Sequence, residues 1–227
     1  QDMVLGSYYL TKMKKDVKGE GKMYSSKDEV IIAYNSGNLD IHAKIKVRLN
    51  GKMLETTTGR VLFNEITPKE LGFLNELLAK KRLRQIIGIC FRKAGLAKTV
   101  EFLDKLKETG FGFATKGGLS VSIQDVVVPT EKTKIINMAQ KKIDEIEFAY
   151  QNGVISGGER YNKIIDTWST ATNHVADKLY SQLAIANQGF NAFWMMLDSQ
   201  ARGSKEQIRQ LAGMRGLMAK PKKSLSG

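Results

Sequence analysis

The residues best equipped for chemistry in this chain are arginines set beside glycines. Arg202-Gly203 and Arg215-Gly216 flank a short stretch that opens with Ser204-Lys205-Glu206-Gln207. A guanidinium is planar, permanently charged and forked, which suits it to phosphate oxygens, and a neighbouring glycine lets backbone amides approach the same anion. Ser204 to Gln207 reads as a capping box for a short helix carrying Ile208 and Leu211, with Gly213 as its stop. A phosphate-contacting loop is one reading of this segment and a solvated basic tail is the other; composition weighs them equally. Other chemistries lack their parts. Cys90 is the sole cysteine and lies in the apolar run Ile86-Ile87-Gly88-Ile89-Cys90-Phe91, so no internal disulfide can form and a buried, inert thiol is expected. With His42 and His174 as the only histidines, no cluster has the ligand count or spacing of a structural zinc site. Asp2, Asp125 and Asp198 stand isolated, as capping or surface carboxylates do.

The charge balance narrows the partners. The chain carries 36 Lys+Arg against 23 Asp+Glu, a formal net charge of +13. Residues 1–100 hold +9 of it, residues 101–200 hold −2 and residues 201–227 hold +6, so the basic excess sits at the two ends. Nucleic acid, nucleotides and anionic lipid fit such a surface; a solvated basic exterior is the alternative. Hydrophobic residues make up 42% of the 227 positions, enough for real cores and too many for a disordered chain. No apolar run approaches the length of a membrane span, and no basic-then-apolar leader opens the chain. A soluble protein in a reducing, cytoplasmic setting is expected. The chain begins at Gln1 and runs directly into an apolar stretch, which reads as a piece cut from a longer protein.

The elements that must position these residues follow from periodicity. Ser26-Lys27-Asp28-Glu29 reads as a capping box before a short helix from Lys27 to about Tyr34, which Gly37 can end. From Ile41 the pattern alternates, with Ile41, Ala43, Ile45, Val47 and Leu49 on one face and His42, Lys44, Lys46 and Arg48 on the other. That predicts a half-buried strand with His42 exposed. Asn50-Gly51 supplies the positive-φ pair of a tight hairpin, and Lys52 to Thr58 returns as the partner strand. Thr67-Pro68-Lys69-Glu70 reads as a second helix start, with helices filling much of 68–110. Thr99 can cap a segment whose Phe102, Leu103 and Leu106 share one face and which ends near Gly110. After the turn at Gly117-Gly118, the β-branched run from Leu119 to Val128 predicts a strand.

Pro129-Thr130 marks a boundary beyond which the period becomes heptad. Ile136, Ile143 and Tyr150 recur every seven residues, with Ala139 and Ile146 between them. After a turn over 152–158, Tyr161, Ile165, Trp168, Thr172, Val175 and Leu179 repeat at four-three spacing. Two helices joined by a short turn predict a hairpin on the order of 30 Å long. The expected fold is α+β: a mixed body of helices and a small sheet, with a projecting antiparallel coiled-coil hairpin. Two helices of an ordinary bundle would show the same periodicity.

Five blocks carry a resemblance. They are QDMVLG (1–6), TTTGRVLFNEI (56–66), TGFGFATKGGLS (109–120), GERYNKIIDTW (158–168) and ARGSKEQIRQLAGMRGLMAKP (201–221). In this order they resemble the largest (β′) subunit family of bacterial DNA-dependent RNA polymerase, and the resemblance covers essentially the whole chain. It implies that residues 1–128 form the pore around the secondary channel through which nucleotides enter, that 129–187 form the coiled-coil hairpin on the channel rim, and that 188–227 form the F-loop segment leading toward the bridge helix. By the same resemblance Arg202 and Arg209 position the incoming triphosphate, while Arg215 and Met218 pack on the bridge helix. The hairpin tip, with Asn152, Gly153, Glu159, Arg160, Asn162 and Asp166, would receive Gre-type factors; a solvated flank is the alternative for its acidic residues.

The family's three closely spaced, Mg²⁺-binding aspartates have no counterpart here, so no residue of this chain is expected to be catalytic, to bind a metal or to hold a cofactor. Mg²⁺ belongs to the whole enzyme. Its implied partners are the rest of β′, the β, α, ω and σ subunits, template DNA and nucleoside triphosphates, with no membrane, in a nucleoid-associated cytoplasmic setting. Gln200 departs from the pattern, which has Gly before ARGS. If the backbone there takes positive φ, Gln adds strain of about 1 kcal/mol. A free-standing basic nucleic-acid-binding or factor-docking module, without enzymatic role, is the other reading.

Overall fold

Residues 2–11 form a helix that is apolar on almost every side, and the N-terminal part of the chain is assembled around it. The computed structural model describes residues 1–218. It divides into two units, one of residues 1–121 with 187–203 and one of residues 122–186 with the described residues from Ser204 on.

In the first unit, α1 (Asp2–Thr11) buries Leu5, Gly6, Ser7, Tyr8, Leu10 and Thr11. A short strand β1 (Met23–Tyr24) is followed by α2 (Lys27–Asn35), whose Ser26 cap accepts from the Glu29 amide. The Glu29 carboxylate turns chiefly to Ser25, accepting the amide and hydroxyl of that residue, with the Ser26 amide a lesser contact. The hairpin forms with the expected register, β2 (Lys44–Leu49) pairing antiparallel to β3 (Lys52–Thr57) across Asn50-Gly51, both at positive φ. β1 adds in parallel to β2 and completes a three-stranded sheet in the order β1-β2-β3. Its inner face, Ala43, Ile45 and Val47, packs with Tyr24, Val30, Leu39 and Val61.

Three expectations fail here for local reasons. His42 is buried, because β2 begins only at Lys44 and the residues before it turn inward, with Asp40 accepting the His42 amide at 2.8 Å. The alternation therefore does not extend back to it. The Thr67-Pro68 helix start yields only a 3-10 turn, Lys69–Leu71, closed by Gly72 at φ +70°. Thr67 donates its hydroxyl back to Phe63 O at 3.1 Å instead of capping forward, and Asn64 clamps Leu74 through both its amide and its carbonyl, at 2.8 and 2.9 Å, so the chain runs on without helix. The β-branched run 119–128 forms no strand: Ser122 and Asp125 make a local capping box around the 3-10 turn Ile123–Asp125. Local side-chain bonds of this kind compete directly with the extended ladder.

Between them, α3 (Thr58–Glu65), capped by Thr57, precedes the long α4 (Lys80–Gly117). α4 is kinked at Gly95, where φ +79° and ψ 177° interrupt the helix, a recognised cause of sharp bending. Thr99 lies one turn beyond the kink, inside the helix, and donates its hydroxyl to Gly95 O at 2.7 Å. Phe102 and Leu106 are buried with Leu10, Phe63, Leu78, Ile86 and Cys90, while Leu103 turns outward. The helix does not stop at Gly110. That glycine serves a crossing: α1 and α4 approach so closely that a Cβ on Gly6 would lie 1.8 Å from Gly110 O, and one on Gly110 would lie 2.6 Å from Met3 O. Gly118, left-handed at φ +55°, ends the helix.

In the second unit, α5 (Lys132–Gln151) and α6 (Gly157–Ile185) form the expected helical hairpin, turning through Asn152 and Gly153 at φ +69°. Ala139, Ile143, Ala171, Thr172, Val175, Ala176, Leu179 and Leu183 are buried, whereas Tyr150 and Tyr161 near the turn are exposed. Trp168 is half-buried in α6.

The close crossing yields a direct expectation. Gly6→Ala or Gly110→Ala forces two helix backbones apart and should cost at least about 3 kcal/mol in denaturant unfolding. Gly112→Ala, on the same helix but facing open space, should instead stabilise by about 0.5–1 kcal/mol.

Candidate phosphate-contacting loop and docking tip

The arginine-glycine segment begins at α7 (Ala192–Asp198), which Asn191 caps by accepting the Trp194 amide at 3.2 Å. Ser199 follows, fully buried, its carbonyl accepting from Lys80 N at 3.0 Å and its hydroxyl accepting from Ala201 N at 3.3 Å. Gln200 does take positive φ, at +58°. The strain anticipated from sequence is therefore present. After buried Ala201 comes Arg202, exposed, its amide bonded to Met196 O at 3.4 Å and its guanidinium donating to Gln1 Oε1 at 3.1 Å. Gly203 at φ +85° closes this turn.

Arg209 and Arg215 belong to the other unit. The Ser204 capping box forms as expected, Ser204 and Gln207 exchanging side-chain and amide bonds at 3.2 and 3.0 Å around α8 (Lys205–Ile208). One π-helical turn, Arg209–Gly213, continues it; Ile208, Ala212 and Gly213 are buried, while Leu211 faces out. Gly213 lets this turn rest against Leu179 and Val175. Arg209 folds back to an ion pair with Glu206 and lies beside Gly216, its Nε buried without a partner. Arg215, Leu217 and Met218 are exposed. The end of the fifth block, Ala219 to Pro221, lies outside the described residues.

At the hairpin tip, Asn152 ends α5 and Ser156 caps α6 by accepting the Glu159 amide at 3.2 Å. Glu159 pairs with Lys163 at 2.8 Å. Arg160 ties the two helices together: it donates to Glu147 at 3.2 Å and sits 4.5 Å from the centre of the Tyr150 ring. Asn162 and Asp166 are exposed. Asp166 lines a shallow groove with Met138, Lys142, Thr170 and His174 and makes no ion pair among the described residues. Exposed Phe148, Val154 and Tyr161 surround the same end.

Sequence reasoning passed over a polar cluster on α1. Tyr8, fully buried, donates its hydroxyl to Asp198, and Lys12 Nζ donates to the Tyr8 oxygen at 3.0 Å. Burial first, then the hydrogen bond and charge of Asp198, push the Tyr8 phenol far above its ordinary range, so it remains a donor at any working pH. Burial pulls Lys12 down while Asp198 opposes it. Nearby, His42 lies edge-on between Tyr9 and Phe190, with ring centres at 4.5 and 4.7 Å; its Nδ1 meets Lys12 O at 2.9 Å and its Nε2 has no partner. An apolar helix pattern carries no signal for such a network, because its partners lie 190 residues apart.

The carboxylates do not fit a magnesium site. Among the described residues no group of three His, Cys, Asp or Glu could hold a metal. Asp2 sits in the first turn of α1, Asp125 in its capping box and Asp198 on Tyr8. Among those residues no helix is long and apolar enough to cross a membrane.

An α+β chain with these turns and this hairpin has relatives of known family. Residues 1–126 match the family model described as RNA polymerase Rpb1, domain 3, and residues 155–227 match RNA polymerase Rpb1, domain 4, so the chain belongs to the RNA polymerase Rpb1 family. Within it, the chain is similar to the subunits named DNA-directed RNA polymerase subunit beta′. That of Parabacteroides distasonis is 49% identical over 233 residues, covering 99% of this chain and 16% of the subunit. Those of Porphyromonas cangingivalis and Sulfurihydrogenibium sp. are 48% and 47% identical, covering 99% and 97% of this chain and 20% and 14% of theirs. The chain thus spans about a sixth of the length of the first of these relatives.

His42 gives stability a defined pH dependence. Burial lowers its pKa below the ordinary 6.5, so the folded chain binds fewer protons than the unfolded one. Its contribution is complete above pH 6.5 and is lost as pH falls toward the folded value, by up to about 1.4 kcal/mol per pH unit in that window. Thermal unfolding followed from pH 8 to 5 should show this loss, and His42→Gln should flatten it.

Proposed function

We propose that this chain is part of the β′ subunit of a bacterial DNA-directed RNA polymerase and acts there in access, positioning and regulation, not in the metal-dependent step. The observation that carries this is the 49% identity to a named β′ subunit across 99% of the chain. On this reading residues 1–128 line the secondary channel, 129–187 form the rim hairpin and 188–227 form the F-loop segment. Nucleotidyl transfer would belong to the whole enzyme with Mg²⁺ held by residues other than those described, and the partners would be the rest of β′, the β, α, ω and σ subunits, template DNA and nucleoside triphosphates. A nucleoid-associated, cytoplasmic setting follows from that role.

Within it, exposed Arg202 would contact the incoming triphosphate, supported by its place between two positive-φ residues on a braced turn. Arg209, ion-paired with Glu206, would be a second phosphate-positioning residue on release from that pair. Arg215 and Met218, both exposed, would pack on the bridge helix. The hairpin tip would dock Gre-type secondary-channel factors through Asn152, Gly153, Glu159, Arg160, Asn162 and Asp166. Exposed Met138, which lines the same groove as Asp166, and exposed Phe148, Val154 and Tyr161 nearer the turn support that reading, since a basic factor could bury apolar side chains and pair with the carboxylate.

Substituting this chain for the matching segment of the P. distasonis β′ subunit, and assembling it with β, α and ω, should give templated RNA synthesis; a well-assembled but inactive enzyme would sink the assignment. In the same polymerase, Glu159→Lys with Asp166→Lys should weaken binding of a Gre-type factor at least about tenfold, a coupling of roughly 1.4 kcal/mol. Unchanged affinity in a titration would remove the docking role.

A further inference from the structure

We propose that Tyr8 and Asp198 are positioning residues for Arg202: their buried hydrogen bond holds the end of α7 so that the strained turn at Gln200 presents the arginine toward nucleotide phosphate. The inference rests on the reading of Arg202 as a phosphate contact and names what sets its aim.

The argument starts from strain. Gln200 at φ +58° is a left-handed non-glycine residue, which persists only where its surroundings over-determine it. Both neighbours of Gln200 are held. Behind it, Ser199 is fully buried with its carbonyl on Lys80 N and its hydroxyl bridging Met196 O, at 3.2 Å, and Ala201 N. Gln200 N bonds Leu197 O at 3.0 Å, Ala201 is buried against Leu5 and Tyr8, and Arg202 N returns to Met196 O. Apart from the Ser199 carbonyl, held by Lys80 at the start of α4, these bonds refer the turn to α7. α7 packs on α1 through Met195 against Leu5 and Tyr8, and the hydrogen bond between them is that of its last residue, Asp198, with the Tyr8 hydroxyl.

The chemistry of that contact suits a fixed reference. The hydroxyl donates to a carboxylate oxygen, and Lys12, the residue just past the end of α1, donates to the same hydroxyl oxygen. Lys12 also lies 5.4 Å from the Phe190 ring, on the segment that leads into α7. The Tyr8 ring is packed with Leu5, Met195 and Ala201, so the phenyl group would stay in place if the hydroxyl were removed. Orientation, not packing, is what the hydroxyl contributes. A misplacement on the order of 1 Å at a substrate-holding group can cost about a hundredfold in efficiency, and for a group that contacts only the bound triphosphate that loss falls on nucleotide binding.

The test uses the assembled polymerase carrying this chain in its β′ subunit, with KM and kcat for templated CTP addition as readouts. Tyr8→Phe should raise the CTP KM at least about fivefold with kcat changed less than twofold. Gln200→Gly, which removes the cost of the left-handed turn, should return the KM of Tyr8→Phe to within about twofold of the parent. Asp198→Asn, which can still accept the Tyr8 proton, serves as the milder second variant and should raise KM less than Tyr8→Phe does. Arg202→Ala separates the two layers of inference. If Arg202→Ala leaves KM unchanged, the phosphate contact fails and the positioning role falls with it. If Arg202→Ala raises KM while Tyr8→Phe and Asp198→Asn do not, or if Gln200→Gly gives no rescue, the phosphate contact survives and the positioning proposal is overturned.

Discussion

The approach of α1 to α4 at Gly6 and Gly110 is the constraint on which the first unit depends. Only hydrogen is tolerated at the crossing, since a Cβ at Gly6 would sit inside the Gly110 carbonyl. A second close approach repeats the device, because a Cβ on Gly59 would lie 1.8 Å from Leu10 O. With backbones this near, α1 becomes a buried axle whose last polar groups serve other elements. Thr11 O accepts the Arg60 guanidinium at 3.1 Å, Thr11 Oγ1 accepts Leu78 N at 3.0 Å, and Lys12 O meets His42. The sheet, the loop before α4 and the turn beyond α7 are each referred to one short helix. Helix ends leave carbonyls unsatisfied, and here those groups and the side chains beside them are spent on tertiary contacts.

The second unit is organised differently. It has no buried axle; its apolar seam between α5 and α6 is built from small and branched residues, with Ala139, Ala171 and Ala176 alternating with Ile143, Val175 and Leu179. The π-helical turn after α8 closes one side, held by Gly213 on Leu179 and Val175 and by Thr172, whose hydroxyl reaches Met214 Sδ at 3.7 Å. Toward the tip the seam gives way to polar bracing, Arg160 on Glu147 and over Tyr150, and the apolar groups there face water. Such a distribution keeps the base of a hairpin rigid while leaving its end chemically open.

Elements whose signals are local were legible from residue order: the Asn50-Gly51 hairpin, the Ser204 box and the heptad pair. Each depends on contacts within a few residues or on one backbone preference. Elements decided by distant contacts were not. β1 is two residues long and exists because Lys46 and Val47 are there to pair with. Gly110 looked like a helix stop but is a crossing point, a distinction that resides in Met3 and Gly6. His42 looked exposed because alternation was extended one residue pair too far, past the point where Asp40 turns the chain. Tyr8 and Asp198 gave no sign at all, since a tyrosine in an apolar helix and an isolated aspartate are each ordinary until they meet.

The chain's two tryptophans fall one to each unit, Trp194 on α7 and Trp168 on α6, both half-buried. Indole emission responds to the polarity around it, so each unit carries its own optical reporter. With one indole replaced by phenylalanine, the other follows the loosening of its own unit alone. Whether the buried axle and the helical hairpin unfold in one cooperative step or in two is thereby written into the protein as a difference in light.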